Sequence, residues 1–254
     1  MNVMGKTIVF SNQKGGVGKT TTAVNLGAYM AEMGKKVLLI DFDPQGNLST
    51  FAGINKDAPG IYEAIAGINR IQDVIQKTEV ENLYGISANI NLSGAAIELA
   101  NVENKEKYLR ITLGEIKDEW DYILIDSPPS LGVLSLNGLV AADFIIIPMQ
   151  CEYLSLEGLS LLIQTVNRIR KSLNPELQIG GIVFTMYDSR VKLANEVVRN
   201  VTSYFKDKVF RTVIPRNVAL SEAPSHSKPI NLYREGCQGA LGYKKLAEEV
   251  ISRV

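Results

Sequence analysis

The chain contains few of the residues that build metal clusters and disulfide frameworks. Among its 254 residues it has one histidine and two cysteines, Cys151 and Cys237, which lie far apart and belong to no Cys-x-x-Cys pair. This spacing argues against a structural zinc site or a stabilising disulfide, and favours two buried free thiols. We assign the single histidine, His226, no catalytic role.

The chain also lacks a net charge and a long apolar run. Lysine plus arginine and aspartate plus glutamate both number 27, so any binding to DNA or to anionic lipid requires a local patch. No apolar run approaches the roughly 18 residues of a membrane span, and no signal sequence precedes the first predicted strand. We therefore expect a cytoplasmic protein.

What the sequence does contain is a series of apolar, β-branched runs with helical patterns between most of them. Strands that are apolar throughout are typical of a parallel sheet buried on both faces. With 46% hydrophobic residues, the chain suits one α/β domain over residues 1–254. The predicted strands are residues 8–10, 37–40, 122–125, 144–147, 179–184 and 209–214, with a further strand at 83–87 inside a less regular segment, 55–104, of crossover helices.

A glycine-rich loop follows the first predicted strand. Residues 11–22 read SNQKGGVGKTTT and lead directly into a helical pattern that ends near Gly34. Glycines let consecutive backbone N–H groups turn inward on an anion, and the helix that follows adds the positive end of its dipole. In this interpretation Lys19 reaches the β- and γ-phosphates of a nucleotide, and the Thr20 hydroxyl completes a Mg²⁺ shell. The alternative is a plain glycine turn.

Carboxylates follow two of the predicted strands, at the edge where open α/β sheets bind ligands. Asp126 ends the strand at 122–125 in a Walker B pattern, and we expect it to hold Mg²⁺ through water. Asp43 precedes a glycine-containing loop and either acts on the nucleotide or caps the next turn. Asp41 is either a supporting hydrogen-bonding group or a second ligand of the Mg²⁺ water shell.

Residues 14–21, KGGVGKTT, resemble the deviant Walker A motif of the ParA/MinD family of P-loop ATPases. The resemblance implies a three-layer P-loop NTPase fold, a mostly parallel twisted sheet with helices on both faces, and the cofactors ATP and Mg²⁺. It implies that Lys14 crosses to the ATP of a second subunit in a homodimer, and that Asp43 orients the attacking water. Basal ATPase activity should then be weak. The implied nucleotide-binding residues are Lys14, Gly15, Gly16, Val17, Gly18, Lys19, Thr20 and Thr21, and the implied catalytic residues are Lys14, Lys19 and Asp43.

The same resemblance implies a site for the base. A Pro-Arg-Asn loop at the end of a late strand lies against adenine in similar family members, so Pro215 and Asn217 are the implied base contacts. Met186 is another candidate wall of the base site, with core packing as the alternative.

Within the family, the chain is most similar to the small chromosomal ParA (Soj) proteins. That similarity implies nonspecific DNA binding, a ParB/Spo0J-like activator, and a nucleoid location when ATP is bound. Basic residues are in excess between Met186 and Val218, where an ordinary solvated face is the alternative to a DNA surface. The DNA-binding candidates are Arg190, Lys192 and Arg211. Ala219 occupies the position where similar proteins carry a second DNA-binding arginine.

Proteins with other functions have the same kind of nucleotide-binding loop, and four alternatives follow from this. A MinD-like ATPase would act at a membrane or a protein scaffold, but the C-terminal stripe Leu241, Leu246, Ala247, Val250, Ile251 and Val254 is interrupted by Glu248 and Glu249. We therefore expect a helix docked on the body, without membrane binding. Iron–sulfur relatives need paired cysteines, and related tyrosine kinases need a C-terminal tyrosine cluster. A regulatory module that binds nucleotide without hydrolysing it is a further alternative.

Overall fold

The computed structural model of the chain describes residues 5–98 and 102–254, and its strands form one sheet. The strands are β1 (Lys6–Phe10), β2 (Val37–Asp41), β3 (Gln76–Lys77), β4 (Leu83–Ile86), β5 (Tyr122–Asp126), β6 (Phe144–Gln150) and β7 (Gln178–Thr185). Their spatial order is β3-β4-β2-β5-β1-β6-β7, with parallel pairing throughout except between β3 and β4. The predicted mostly parallel sheet is confirmed.

Helices cover both faces of this sheet. They are α1 (Lys19–Glu32), α2 (Asn47–Phe51), α3 (Ile61–Ile65), α4 (Asn91–Glu98), α5 (Tyr108–Gly114), α6 (Val133–Ala141), α7 (Leu154–Ser172), α8 (Lys192–Phe205), α9 (Val218–Glu222), α10 (Ile230–Arg234) and α11 (Gln238–Arg253). One apolar cluster packs helices α3 through α8 against one face of the sheet. A second cluster packs α1, α2 and helices α9 through α11 against the other face. The result is three layers.

Alternation along the strands explains why both faces are apolar. In β1, Ile8 and Phe10 enter one cluster and Val9 enters the other, because successive side chains point to opposite faces. All three are fully buried. The register places Asp41 and Asp126 opposite each other at the carboxyl ends of β2 and β5.

The predicted strand at 209–214 is wrong. Among the described residues, the segment pairs with β7 through one isolated bridge, which joins Val209 to Ile182. Its hydrogen bonds run from Phe210 N to Ile182 O and from Ile214 N to Phe184 O. Between these two hydrogen bonds the segment advances by four residues, whereas β7 advances by two. A regular ladder requires equal advances on both strands, so the segment does not form a strand.

Smaller differences occur elsewhere. The two-residue strand β3 is not predicted, because a single pair of positions carries no alternation that a sequence pattern can detect. Helix α1 ends at Glu32, and Gly34 follows it with a φ of 81°. Residues 99–101 of the less regular predicted segment lie outside the described residues.

The C-terminal helix α11 packs on the body, mainly against α1, as expected. Four members of its predicted stripe are buried: Leu246, Ala247, Val250 and Val254. Leu241 departs from the prediction, with 44% of its surface exposed. Within the described part of the chain, no helix combines the length and the apolar character that a membrane crossing requires.

Candidate functional site: the carboxyl edge of the sheet

The glycine-rich loop lies between β1 and α1, and two neighbouring strands hold its carbonyl groups from outside. Gln150, at the end of β6, donates to the Gly16 carbonyl at 2.9 Å, and Thr185, at the end of β7, donates to the Val17 carbonyl at 2.8 Å. Gly16 and Gly18 have φ of 71° and 86°, in the left-handed region that favours glycine. With these carbonyls fixed, the backbone N–H groups from Gly15 to Gly18 can turn toward an anion.

Helix α1 adds its N-terminus to the same point. Its N-cap is Gly18, and within this described helix neither a capping side chain nor an acidic residue in the first turn satisfies the free N–H groups. Lys19, only 7% exposed, extends its ammonium back to 3.5 Å from the Lys14 carbonyl. Burial lowers the pKa of Lys19, and the charges of Asp126 and Asp43 oppose that effect. The arrangement supplies a cation and helix N–H groups to one anion.

Lys14 points away from the loop toward the end of β6. Its ammonium lies 2.5 Å from a carboxylate oxygen of Glu152, and the two side chains are 38% and 53% exposed. Its backbone N–H donates to the Asn12 side chain at 3.0 Å, which fixes the start of the loop. In this conformation Lys14 has its charge at the surface of its own subunit.

Asp126 and Thr20 meet at the base of the site. The Thr20 hydroxyl donates to Asp126 Oδ2 at 2.6 Å, while Asp126 Oδ1 is buried and has no hydrogen-bond partner among the described residues. Burial raises the pKa of Asp126, and the neighbouring Asp41 carboxylate adds to that increase. The site therefore holds a buried carboxylate oxygen without a partner.

Asp41 is also buried, but it is fully bonded. Its Oδ2 accepts from the backbone N–H and the hydroxyl of Ser49, at 2.7 and 2.6 Å, and its Oδ1 accepts from Asp43 N at 3.3 Å. Burial raises the pKa of Asp41 to about 6, against the effect of these hydrogen bonds. Asp43 itself is half-buried, and its carboxylate accepts from Gln45 N at 3.0 Å.

The oxygen atoms of Asp126 and Thr20 are suited to binding a magnesium ion. The charge of Asp41 adds to the raised pKa of Asp126, the charge of Asp43 adds to that of Asp41, and a divalent cation would reduce this repulsion. The partnerless oxygen of Asp126 and the hydroxyl of Thr20 are oxygen ligands of the type that Mg²⁺ prefers. Thr20 and Asp126 are therefore the residues that would hold the ion, whereas both oxygens of Asp41 already accept hydrogen bonds from Ser49 or Asp43.

A cavity of 180 Å³ lies beside the loop, between Gly18 and the segment after Ile214. Pro215 and Asn217 line it together with Thr21 and Met186, so the predicted base contacts and the predicted wall share one space. The oxygen of the Asn217 side chain accepts from Ala219 N at 3.1 Å as the N-cap of α9. That bond leaves the Asn217 amide group as a hydrogen-bond donor toward a ligand.

The predicted DNA-binding residues lie on both sides of α8 along the chain. Arg190 and Lys192 lie at the start of α8, whereas Arg211 follows its end. Helix α8 is about 20 Å long, from fourteen residues at 1.5 Å each. The segment after α8 returns alongside β7, where Phe210 N donates to Ile182 O, and the side chains of all three candidates are exposed.

Arg190 also has a partner of its own. Its guanidinium donates to both oxygens of Asp188, at 2.9 and 2.7 Å, and this pairing lowers the pKa of Asp188 to about 2. Ala219, where a second arginine was expected, is 2% exposed inside α9. The charge available to DNA at this end of α8 is therefore smaller than the sequence count suggests.

Four residues of the site are absent from the sequence prediction: Gln150, Thr185, Glu152 and Ser49. The first three lie at or just after the carboxyl ends of β6 and β7, and this position in a parallel sheet was the available signal. Ser49 comes from α2, a five-residue helix whose position over Asp41 no periodicity indicates.

Comparisons with known proteins agree with this geometry. A family model described as an AAA domain matches residues 5–179. The chain is 59% identical to the chromosome-partitioning ATPase Soj of Treponema pallidum, over 98% of each chain. It is 52% identical to the sporulation initiation inhibitor protein Soj of Bacillus subtilis, over 97% of this chain and 98% of the relative.

Among solved structures, the chain is similar to cobyrinic acid a,c-diamide synthase from Mycobacterium smegmatis with a bound ATP analogue and magnesium. The TM-score is 0.87 at 33% identity, covering 97% of this chain and 94% of that one. The expected three-layer P-loop NTPase fold is thereby confirmed.

Proposed function

Since the chain belongs to the Soj/ParA family of chromosome-partitioning ATPases, we propose that it binds ATP with Mg²⁺, dimerises, and hydrolyses the ATP slowly. The observation that carries this proposal is the deviant loop, with Lys14 at the surface of its own subunit and a cavity beside Gly18 that Pro215 and Asn217 line. Residues 1–254 act as a single ATPase domain.

The phosphates are held by the loop from Lys14 to Thr21. The left-handed Gly16 and Gly18 turn N–H groups inward, the N-terminus of α1 faces the same anion, and Lys19 neutralises the β- and γ-phosphates. Pro215 packs against the base, and the Asn217 amide donates to it. The mononucleotide therefore spans the edge of the sheet from the loop to α9.

Thr20 would hold the magnesium ion and Asp126 would hold it through water, while Asp41, whose oxygens are bonded to Ser49 and Asp43, would serve as a supporting hydrogen-bonding group. Bound Mg²⁺ supplies positive charge to the phosphate oxygens, on which charge accumulates in a loose transition state. Asp43 orients the attacking water, because it follows β2 at the same edge and its half-buried carboxylate lies near the Lys19 charge. Catalysis in this arrangement is positioning and electrostatic compensation.

Lys14 connects ATP to dimerisation. In a single subunit its ammonium pairs with Glu152, so it adds nothing to that subunit's own phosphate site. In the dimer it reaches the ATP of the second subunit, which explains a weak basal rate in the monomer. Exposed ion pairs contribute only about 0.2–1 kcal/mol, so the Glu152 contact is easily exchanged for a phosphate.

The test of this role compares two lysine variants. Lys14→Ala should bind nucleotide and remain monomeric in light scattering with a slowly hydrolysed ATP analogue, whereas wild type becomes a dimer. Lys77→Ala, an exposed lysine on the edge strand β3, is the control and should dimerise. Normal dimerisation of Lys14→Ala overturns the proposal.

The output of the dimer is nonspecific DNA binding through Arg190, Lys192 and Arg211. Each subunit presents these exposed cations, and pairing two subunits doubles the number of phosphate contacts, which couples ATP to DNA through avidity. A ParB/Spo0J-like partner stimulates hydrolysis and releases the DNA, so the protein associates with the nucleoid while ATP is bound and drives chromosome or plasmid segregation.

A MinD-like role at a membrane or another scaffold is the alternative. The buried stripe of α11 argues against a free membrane-binding helix. Flotation with anionic liposomes and gel-shift assays with DNA, both with ATP, separate the two. ATP-dependent binding to liposomes but not to DNA reverses the choice.

A further inference from the structure

Ser49 holds one of the two buried carboxylates from outside the nucleotide loop. Its hydroxyl and its backbone N–H both donate to Asp41 Oδ2, at 2.6 and 2.7 Å. Ser49 and Asp41 are both fully buried. Two donors on one buried carboxylate oxygen fix the direction of that carboxylate.

The Ser49 hydroxyl is itself fixed. It accepts from the backbone N–H of Ala88 at 3.1 Å, in the segment that follows β4. A chain of hydrogen bonds therefore runs from Ala88 through Ser49 to Asp41. Because one hydroxyl bonds both neighbours, its removal breaks two buried hydrogen bonds at once.

The other oxygen of Asp41 continues this chain toward the nucleotide. Asp41 Oδ1 accepts from Asp43 N at 3.3 Å. Between Asp43 and Ser49 the chain makes a tight turn, in which Gly46 has a φ of 64° and donates to the Asp43 carbonyl. Asp41 thus bridges both ends of the loop that carries Asp43, and Ser49 closes that loop.

We propose that Ser49 is a positioning residue for ATP hydrolysis: through Asp41 it holds the Asp43 loop in the conformation that orients water. The inference rests on the proposed ATPase function. It assigns Ser49 no contact with ATP, so its removal should lower the rate of the chemical step and leave nucleotide binding intact.

Ser87 provides a matched control. It is also a fully buried serine near the end of β4, but its hydroxyl has no hydrogen-bond partner among the described residues. Ser87→Ala therefore removes the same atom from the same kind of environment without breaking a hydrogen bond. A difference in kcat between Ser49→Ala and Ser87→Ala therefore reports the loss of the Ser49 hydrogen bonds, since both variants lose a buried oxygen.

The experiment measures kcat and KM for ATP, and affinity for a fluorescent ATP analogue, in wild type, Ser49→Ala, Ser49→Thr and Ser87→Ala. We expect Ser49→Ala to lose about 10- to 100-fold in kcat, since a displacement near 1 Å can cost about 10²-fold. Its KM and analogue affinity should stay within about twofold of wild type. Ser49→Thr, which keeps the hydroxyl, should recover most of the rate, and Ser87→Ala should match wild type.

Thermal unfolding of each variant separates positioning from folding. If Ser49→Ala loses activity only in proportion to its folded fraction, or loses analogue affinity as much as rate, Ser49 is structural and the inference is overturned. The same conclusion follows if Ser49→Ala and Ser87→Ala have equal kcat. Absence of ATP turnover in wild type would instead contradict the proposed function.

Discussion

The carboxyl edge of the sheet and the flank of α8 hold their charges in opposite ways. At the edge, Asp41 and Asp126 are at most 1% exposed, and burial raises the pKa of both. On the flank, Arg190 is largely exposed and pairs with a partly exposed acid, Asp188, whose pKa is lowered. The proposed ATP site at the edge depends on individual hydrogen bonds. The proposed DNA binding on the flank depends on the sum of several solvent-screened charges.

This difference determines what each region tolerates. A buried polar group that loses its partner retains the full cost of desolvation, so a single substitution at the edge has a large effect. Surface charges contribute little individually and can replace one another, so the position of any one cation is weakly constrained. Loss of one exposed cation is therefore tolerable on the flank, whereas loss of the Asp43 carboxylate is not tolerable at the edge.

The largest effect that we expect comes from Asp43. Asp43→Ala should slow single-turnover hydrolysis by at least about 10²-fold, the range in which a positioned acid–base group contributes. ATP binding should persist, because the loop and Lys19 remain. Rapid-quench measurement of phosphate release under saturating enzyme checks the rate, and a filter-binding assay checks the affinity.

Asp73→Ala is the control for this variant. Asp73 is an exposed acid in an ion pair with Arg70, far from the loop in sequence, and its removal should leave hydrolysis unchanged. Hydrolysis by Asp43→Ala at the wild-type rate would remove Asp43 from the catalytic residues and leave it as a cap of the turn through Gln45 N.

The second prediction concerns pH and compares the two regions directly. The pKa of Asp41 rises from 3.8 to about 6 in the folded protein, so between these values the folded state binds more protons than the unfolded state. The free energy of unfolding should therefore fall as pH rises from about 4 to about 6. The expected contribution is about 3 kcal/mol, since each pKa unit corresponds to about 1.4 kcal/mol.

Urea unfolding without nucleotide and with a metal chelator, at pH 4.5 and pH 7, measures this effect together with that of Asp126, whose pKa is also raised; the difference between wild type and Asp41→Asn isolates Asp41. Asp41→Asn keeps an acceptor oxygen for Ser49 and should reduce the difference between the two pH values. Asp188, whose pKa is lowered to about 2, contributes with the opposite sign: its stabilisation is present above about pH 4 and disappears as pH falls through 2. Equal pH dependence in wild type and Asp41→Asn would contradict the assignment to Asp41.

The same contrast explains what could be predicted from the sequence. The loop, Asp43 and Asp126 are readable because each follows a strongly apolar strand, and strands of one parallel sheet end at one edge. Ser49 is not readable, because its role depends on where a short helix meets the end of a strand in space. The DNA surface is not readable in the same way, because exposed cations follow no buried strand and no periodicity fixes their positions, so its assignment stays a prediction.

The third prediction uses backbone conformation, which also differs between the regions. At the edge, Gly18→Ala should lose about 1 kcal/mol of stability, because a left-handed conformation disfavours any residue with a Cβ. Gly15→Ala is the matched control for stability, since its φ lies outside that region and no heavy atom stands within 4 Å of an added Cβ. At the end of α8, Lys206 has a φ of 47°, and Lys206→Gly should gain about 1 kcal/mol. Chemical unfolding of the three variants tests these signs.

The smallest effect that we expect concerns Asp188 and Arg190. Because Arg190 donates from Nε and Nη2 to Asp188, Asp188→Asn should free that cation and raise DNA affinity by about two- to fivefold, the range that breaking one exposed ion pair allows. Arg190→Ala should weaken binding, and the slope of log K against log salt should fall by about 0.9 for each phosphate that is no longer neutralised. Fluorescence anisotropy with duplex DNA and an ATP analogue, over a series of salt concentrations, measures both. Unchanged affinity and slope in both variants would show that DNA binds at the other end of α8, around Arg211.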